Sequence, residues 1–545
     1  MKREKFFQLS SIIAIGATVA PHLSLKAGIG RLQDVDVVII GAGLAGLTAA
    51  YRLIQIGGIT VKVLEANSRV GGRTLNVETE SCYPAELGGQ WVGPTQTAIL
   101  DLMDELGIES FPSYLEGESV GDEGLSDSEQ ITLGGFVAEL EEMASSIDPN
   151  APWTHPMAME YDAMTIGDWM DNNVGFFMNT NVYLMMYFEI AGWLAEADNV
   201  SLLYFLFYLK SAGSWEDLAV SAQSMRVNNG SHSISTALAD SMSTDVYLNS
   251  PVSEIIESGN SVTVVYNGGE ISCTKVIICM NPKDAANISV TPELPSSRLA
   301  LQNNWNLQGG LKSSVSFNTP FWRDNGLNGS ASNNDIYICF DNSPSDAACG
   351  AIVMFPSESI TNLTSLEARE NATIAALVVL FGEEANSYVD YVEHNWSEEE
   401  FISGCVPAIV PGFFANHGSA LKQPVGNIHY AGTETSDVWA GYMDGAVRSG
   451  ERVAYEILDA LSILDLTADT LQLYPNPSSD FFSISLGSRN QALEVHLYDI
   501  SGKIVLSSSI LTNSAISINH LASGVYLAHV TLQNGETFKR RLLKR

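Results

Sequence analysis

Residues 34–58 read DVDVVIIGAGLAGLTAAYRLIQIGG: a β-branched run, a glycine turn, then an alanine- and leucine-rich helix. No other stretch limits the fold so tightly. Val35, Val37, Val38, Ile39 and Ile40 make a nearly continuous apolar strand, the pattern of a parallel sheet covered on both faces. Gly41, Gly43 and Gly46 follow at once in G-x-G-x-x-G spacing. The first permits the tight turn, the second lets the backbone approach a pyrophosphate, and the third lets helix and strand pack closely. A pyrophosphate then rests on the N–H groups and positive dipole end of the new helix. The spacing alone is a weak signal. Here a second strand, VKVLEA (61–66), ends in Glu65, 19 residues past Gly46, where a carboxylate meets ribose hydroxyls and repels a 2′-phosphate. The two parts in register predict a dinucleotide site in an α/β fold.

At 545 residues the chain exceeds one compact domain. Its composition, 46% hydrophobic and 17% charged, excludes a disordered tail protein or a collagen. A net charge of −36 disfavours a nucleic-acid partner, because such a chain repels a phosphate backbone. The six cysteines are too few for a disulfide scaffold and show no C-x-x-C spacing, so no metal site is expected. The acidity belongs to the body of the chain, between two mildly basic ends.

The first end, residues 1–27, reads as an export signal: basic MKREK, the apolar run SSIIAIGATVA, then small residues near Ala27. The run is too short to span a bilayer, which takes about 20 apolar residues. Arg3-Glu4-Lys5-Phe6-Phe7-Gln8 also resembles a twin-arginine signal with the second Arg replaced by Glu, which leaves the export route open. No other segment reads as a membrane anchor. The apolar stretch from Tyr183 to Leu209 is broken by Glu189, Glu196 and Asp198, and reads as buried helices or the wall of a substrate channel.

Directly after Glu65 stands Arg69-Val70-Gly71-Gly72-Arg73-Thr74. It resembles the R-x-G-G-R flavin signature of glutathione-reductase-like, amine-oxidase-type FAD proteins, in which a second glycine turn and fixed cations serve the same cofactor. No second G-x-G-x-x-G offers a site for NAD(P)H, so oxygen becomes the electron acceptor to expect. Residues 34–462 resemble the flavin monoamine oxidases throughout. Glu86 to Gln96, ELGGQWVGPTQ, is similar to that family's L-G-G-x-x-x-G-P-T-Q segment, which implies that Gly88, Gly89, Gln90 and Trp91 pass beside the flavin ring. APW (151–153) and VSLLYFLFYLKSAG (200–213) resemble its substrate-domain helices. Val252, after Pro251, matches the strand whose main chain meets the adenine, and KVIICMNP (275–282) the strand closing the flavin domain.

The resemblance also assigns roles near the end of the body. Lys312, nine residues before the Phe-Trp-Arg turn, matches the lysine that bonds through water to flavin N5 and assists reoxidation. Gly432 and Glu434, in YAGTET, match the contacts to the ribityl chain. The N–H of Met443, in WAGYMDGA, matches the donor to the pyrimidine oxygen, where a helix N-terminus stabilises negative charge. Tyr442 matches one of two aromatics that flank the substrate amine. Cys405 matches the cysteine that some members link covalently to FAD and others do without. Val406 stands where the second aromatic is expected, and Asn67 where an Arg is frequent, which puts the substrate range in doubt.

What the resemblance implies is oxidative deamination of primary or secondary amines. A hydride equivalent passes from the amine α-carbon to N5, water hydrolyses the imine to aldehyde and ammonia, and O2 reoxidises the flavin to give H2O2. Two alternatives stay open: an L-amino-acid oxidase, in which Arg226 is a possible partner for the carboxylate but could equally serve the flavin domain, and a secreted flavin-binding interaction protein without turnover.

After a polar linker (463–470), short alternating strands split by Asn-Pro, Ser-Gly and Asn-Gly turns predict a small immunoglobulin-like β-sandwich over 471–545. Tyr474-Pro475-Asn476-Pro477, Tyr498-Asp499-x-x-Gly502-Lys503 and Leu521-x-x-Gly524-Val525-Tyr526 resemble the type IX secretion sorting domain. It implies the secretion machinery as a partner, and passage through the periplasm to the medium or cell surface. The expected layout is a Rossmann-like, glutathione-reductase-type FAD domain from 34–88, 225–300 and 399–462, interleaved with an α+β substrate domain from 89–224 and 301–398. A homodimer is left open.

Overall fold

The computed structural model describes residues 31–57, 59–80, 84–121, 124–242, 246–464, 471–476, 478–486, 492–499, 502–511, 514–532 and 537–544. The expected export signal and residues 465–470 of the expected linker lie outside them.

The opening strand β1 (Arg31–Ile40) runs into helix α1 (Leu44–Arg52) across the glycine turn, and β2 (Val61–Leu64) returns parallel to β1. On the other side of β1 lies the long strand β3 (Gly269–Cys279), also parallel. The first half of β3 pairs antiparallel with Ser261–Tyr266, while its second half pairs parallel with β4 (Ile428–Ala431). One sheet thus has a parallel core and an antiparallel meander attached to it. The alternation along β1 shows why the strand is apolar throughout. Val37 and Ile39 pack into a cluster with α1 and the long helix α2 (Met443–Leu464), while Val38 and Ile40 pack on the opposite face with Ile255, Val264 and Ile271. Helix Thr97–Leu106, which lies beyond the 34–88 stretch expected for the first part of the dinucleotide domain, buries Ile99, Leu102 and Met103 in the α1–α2 cluster.

A second, six-stranded sheet joins Leu311–Phe317 antiparallel to Gly350–Pro356 and Asp390–Asn395, and continues through Ile336–Asp341 and Leu327–Ala331 to Glu118–Val120. Beside it stands an aromatic-rich helical layer around Leu202–Ala212, ten of whose eleven residues are buried. That helix is apolar on every face because other helices surround it. Among the described residues no helix is long and apolar enough to cross a membrane.

The C-terminal residues form two facing sheets, one of three strands (Leu471–Tyr474, Phe481–Leu486, Ala515–Ser517) and one of four (Ala492–Tyr498, Ile504–Leu511, Gly524–Leu532, Thr537–Lys544). Phe482, Ile484, Val495, Leu497, Ala528 and Val530 alternate inward to make its core, as a sandwich requires. The fold class is the one expected from the sequence: an α/β dinucleotide fold interleaved with an α+β region, then a β-sandwich.

Candidate active site

The glycine turn between β1 and α1 meets a second one. Gly41 takes φ of 102° and donates its N–H to the Leu64 carbonyl at 2.8 Å, which ties the turn to β2. Gly46 sits against the turn so closely that an added Cβ would lie 2.0 Å from the Gly41 carbonyl oxygen. The N–H of Gly71 donates to the Ala42 carbonyl at 2.8 Å, and a Cβ on Gly72 would stand 3.3 Å from the Gly43 Cα. The two turns therefore face each other across bare backbone. Helix α1 begins at Gly43 with no side-chain cap, leaving its first N–H groups to the space between the turns.

Glu65, at the end of β2, accepts from the Ala42 N–H at 2.7 Å and the Asn67 N–H at 2.8 Å. Burial raises its carboxyl above the ordinary range, against the pull of those two donors. Backbone hydrogen bonds also join Glu65 to Tyr247 and Ser250, which brings the segment leading into Val252 beside the cradle. Val252 itself is half-buried and pairs with Tyr266.

The two arginines of the second turn do different work. Arg69 Nη1 donates to the Gly72 carbonyl at 2.9 Å and the Thr74 carbonyl at 3.0 Å, with Glu399 3.7 Å away. It staples its own loop. Arg73 reaches outward, donating to the Cys405 carbonyl at 3.0 Å and pairing with Glu434 at 2.7 Å. Burial alone lowers its basicity, but the Glu434 carboxylate outweighs this and holds Arg73 above its usual range. Glu434 is 2% exposed, and its Oε2 has no hydrogen-bond partner among the described residues. It follows Gly432, whose φ of 125° turns the chain out of β4.

Cys405 is held at both ends of its peptide unit, its N–H donating to the Gln308 carbonyl at 2.9 Å. Of the four described free cysteines it alone is not fully buried. Burial nonetheless pushes its thiol up to about 11, while the nearby Arg73 and Lys312 pull the other way.

A third group surrounds Gly88 and Gly89. The Gly89 N–H donates to the Arg73 carbonyl at 3.0 Å, and Met443, the first residue of α2, lays its side chain against Gly89. Lys312 points in from the second sheet, donating to the Gly88 carbonyl at 2.7 Å and to Gln90 Oε1 at 2.5 Å. Trp91 and Phe355 present ring faces 5.0 and 5.6 Å from its nitrogen. Burial is the largest influence on this amine and pushes it down to about 7. Trp91 also meets Phe340 edge-on at 5.3 Å.

The fourth group is aromatic. Tyr442 lies 6.1 Å from Tyr208 at 33°, and Trp439 closes its other side at 4.8 Å. Burial raises both tyrosines, Tyr442 to about 12, so both hydroxyls stay protonated at neutral pH. Tyr208 was not singled out from the sequence, where it is one of several aromatics in a buried helix; its place opposite Tyr442 is visible only in three dimensions. Val406 pairs with Gln308 in a short ladder and supplies no aromatic surface.

Arg226 takes a position the sequence left open. It pairs with Glu86 at 2.8 Å and donates to the Ser343 carbonyl at 2.8 Å, with Arg226 1% and Glu86 0% exposed. Replacing it with methionine strands a buried carboxylate, which costs about 3–5 kcal/mol. Arg226→Met is therefore expected to lower the denaturant midpoint steeply, and an unchanged midpoint would show that Glu86 finds another partner.

Two facing glycine turns, an uncapped helix start, a carboxylate at the end of β2 and the unmet Glu434 oxygen suit a flavin dinucleotide. This is the layout of a flavin-dependent oxidoreductase. Residues 44–458 match the family described as flavin containing amine oxidoreductase, and residues 472–544 match the secretion system C-terminal sorting domain. The protein named "Probable flavin-containing monoamine oxidase A" of Dictyostelium discoideum is 35% identical over 450 residues, covering 78% of this chain and 98% of that protein. The flavin-containing amine oxidase B of Rattus norvegicus is 32% identical, covering 89% of this chain and 97% of its own. Among solved structures, putrescine oxidase bound to putrescine aligns with a TM-score of 0.73 and 30% identity, over 78% of this chain and 99% of that one. Cyclohexylamine oxidase from Brevibacterium oxydans IH-35A aligns at 0.72 with 30% identity, over 79% and 100%. The chain belongs to the flavin-containing amine oxidoreductase family and is a flavin amine oxidase.

Proposed function

We propose that this protein oxidatively deaminates primary or secondary amines, with O2 as the final electron acceptor. Gly41, Gly43, Gly46 and Gly72 would hold the diphosphate of FAD, and Glu65 its adenosine ribose. Val252 would meet the adenine, Glu434 and Gly432 the ribityl chain, and Gly88, Gly89, Gln90, Trp91 and Met443 the ring. Arg69 holds the second glycine turn in shape, and Arg73 ties Cys405 and Glu434 together at the flavin. Bound FAD supplies the two-electron acceptor and the route to oxygen. Tyr208 and Tyr442 flank the uncharged amine and keep water from its α-carbon. The start of α2 at Met443 places positive helix potential where negative charge builds up. Lys312 spends two N–H bonds on Gly88 and Gln90 and has a third direction left for a water, through which it would assist reoxidation by oxygen. The division of the body into an FAD domain (34–88, 225–300 and 399–462) and a substrate domain (89–224 and 301–398) over the flavin face is part of the same reading.

The observation that carries amines over amino acids is the Arg226–Glu86 pair: the arginine considered for a substrate carboxylate is already spent. Peroxide release from a panel of amines beside a panel of L-amino acids tests this. Turnover confined to amino acids, or a bound flavin that no amine reduces, overturns it.

We also assign Cys405 as the point of covalent flavin attachment, because it is the described free thiol that is not fully buried and stands near Arg73 and Lys312. After acid precipitation the flavin is expected in the pellet, on a peptide containing Cys405, and Cys405→Ala is expected to move it to the supernatant. Wild-type flavin wholly in the supernatant rejects the bond. The sorting domain directs the enzyme through type IX secretion, after the periplasm, to the medium or the cell surface. The disulfide at Cys349 suits an oxidising compartment.

A further inference from the structure

Lys312, Gln90 and Asn342 form a buried polar row, 4%, 1% and 0% exposed. Three segments distant in sequence supply it: strand Leu311–Phe317, the turn after Ala85–Glu86, and the residue following strand Ile336–Asp341. Lys312 Nζ donates to Gln90 Oε1 at 2.5 Å, and Gln90 Nε2 donates to Asn342 Oδ1 at 2.8 Å. A glutamine amide has an accepting end and a donating end. Lys312, a donor, takes the accepting end, which leaves the amide nitrogen to the Asn342 oxygen on the far side. The reverse arrangement would press N–H groups against an amine that is itself a donor.

We propose that Gln90 and Asn342 are positioning residues for Lys312: the amide pair aims the Lys312 amine and sets how readily it is protonated. Its relevance to turnover rests on the role of Lys312 proposed above, but its effect on the amine does not. An acceptor on Nζ favours the ammonium over the free amine, so Gln90 opposes the effect of burial. The charged neighbours divide. Glu86 and Cys405 favour the ammonium and Arg226 disfavours it, while His394 is the cross-strand neighbour and is held by Glu399 at 2.9 Å. With burial bringing the amine to about 7, one acceptor more or less changes its protonated fraction at working pH.

The test is the pH dependence of thermal unfolding in the full-length, flavin-loaded protein, beside the pH profile of flavin reoxidation by oxygen. A lysine lowered in the folded state loses its proton before its unfolded counterpart does. The unfolded chain then binds the extra proton between about 7 and 10.5, so stability rises with pH across that window. Lys312→Met is expected to remove this component. Gln90→Leu and Asn342→Leu are expected to move the start of the rise to lower pH by about one unit, and Gln90→Glu to move it upward by about one to two units. Asn342→Asp, also upward, serves if Gln90→Glu does not fold. Uniform loss of stability with an unmoved window in all these variants overturns the proposal, since space-filling alone predicts that result. If the window moves as stated while Lys312→Met reacts with oxygen at the wild-type rate, the positioning stands and the proposed role in reoxidation falls.

Discussion

Gly43→Val is expected to yield a folded protein that retains about a tenth or less of the wild-type flavin. A Cβ on Gly43 would meet only the Gly72 Cα, at 3.9 Å, so the chain itself accepts a side chain there. The branched methyls then occupy the space between the two glycine turns, where the diphosphate would contact the start of α1. Losing even about 3 kcal/mol of such contact weakens binding more than a hundredfold. Gly46→Val makes the contrast: its Cβ would lie 2.0 Å from the Gly41 carbonyl oxygen, so the turn and the helix-to-strand packing must give way. The ratio of flavin to protein absorbance, read beside circular dichroism and a thermal melt, separates the two. A Gly43→Val protein with full flavin content would remove the diphosphate from this cradle.

Lys312→Met is expected to leave reduction by amine within a few-fold of wild type and to slow the reaction of reduced flavin with oxygen by about 10²-fold, the usual range for losing a placed proton donor. The asymmetry follows from position. Lys312 bonds to Gly88 and Gln90, whereas the rings proposed to flank the amine are Tyr208 and Tyr442. Methionine fills a similar volume, but it leaves the Gly88 carbonyl and Gln90 Oε1 without their donor. That adds about 1–3 kcal/mol of destabilisation, visible as a lower melting temperature. Anaerobic mixing with amine, followed by mixing of the reduced enzyme with oxygenated buffer, resolves the two half-reactions. An unchanged oxygen step excludes Lys312 from it.

The cradle was legible in the sequence because its parts are close along the chain and act through backbone geometry. Gly41, Gly43 and Gly46 are recognised by spacing alone, and Glu65 by its place at the end of the next strand. The β-sandwich was legible for a related reason: alternating apolar positions and turn dipeptides state a strand's inward face directly. The partnerships of the catalytic region were not. Arg226 and Glu86 are 140 positions apart, Gln90 and Asn342 252, and Lys312 and Gln90 222. No local pattern distinguishes an arginine free for a substrate from one neutralised across such a separation, nor Tyr208 from its neighbours in a helix buried all round.

By itself, then, the sequence determined the elements whose geometry is local: the strand–turn–helix, the carboxylate at the end of the second strand, the second glycine turn, and the alternating strands of the last domain. Backbone sterics and short-range hydrogen bonding decide these. Only the tertiary structure decided that Arg69 staples its loop while Arg73 bridges Cys405 and Glu434, that Tyr208 rather than residue 406 faces Tyr442, and that Gln90 and Asn342 hold Lys312. Those facts depend on how distant segments close over one another. A buried polar group takes whichever complementary partner the closed fold brings within about 3 Å, and sequence spacing carries no record of that distance.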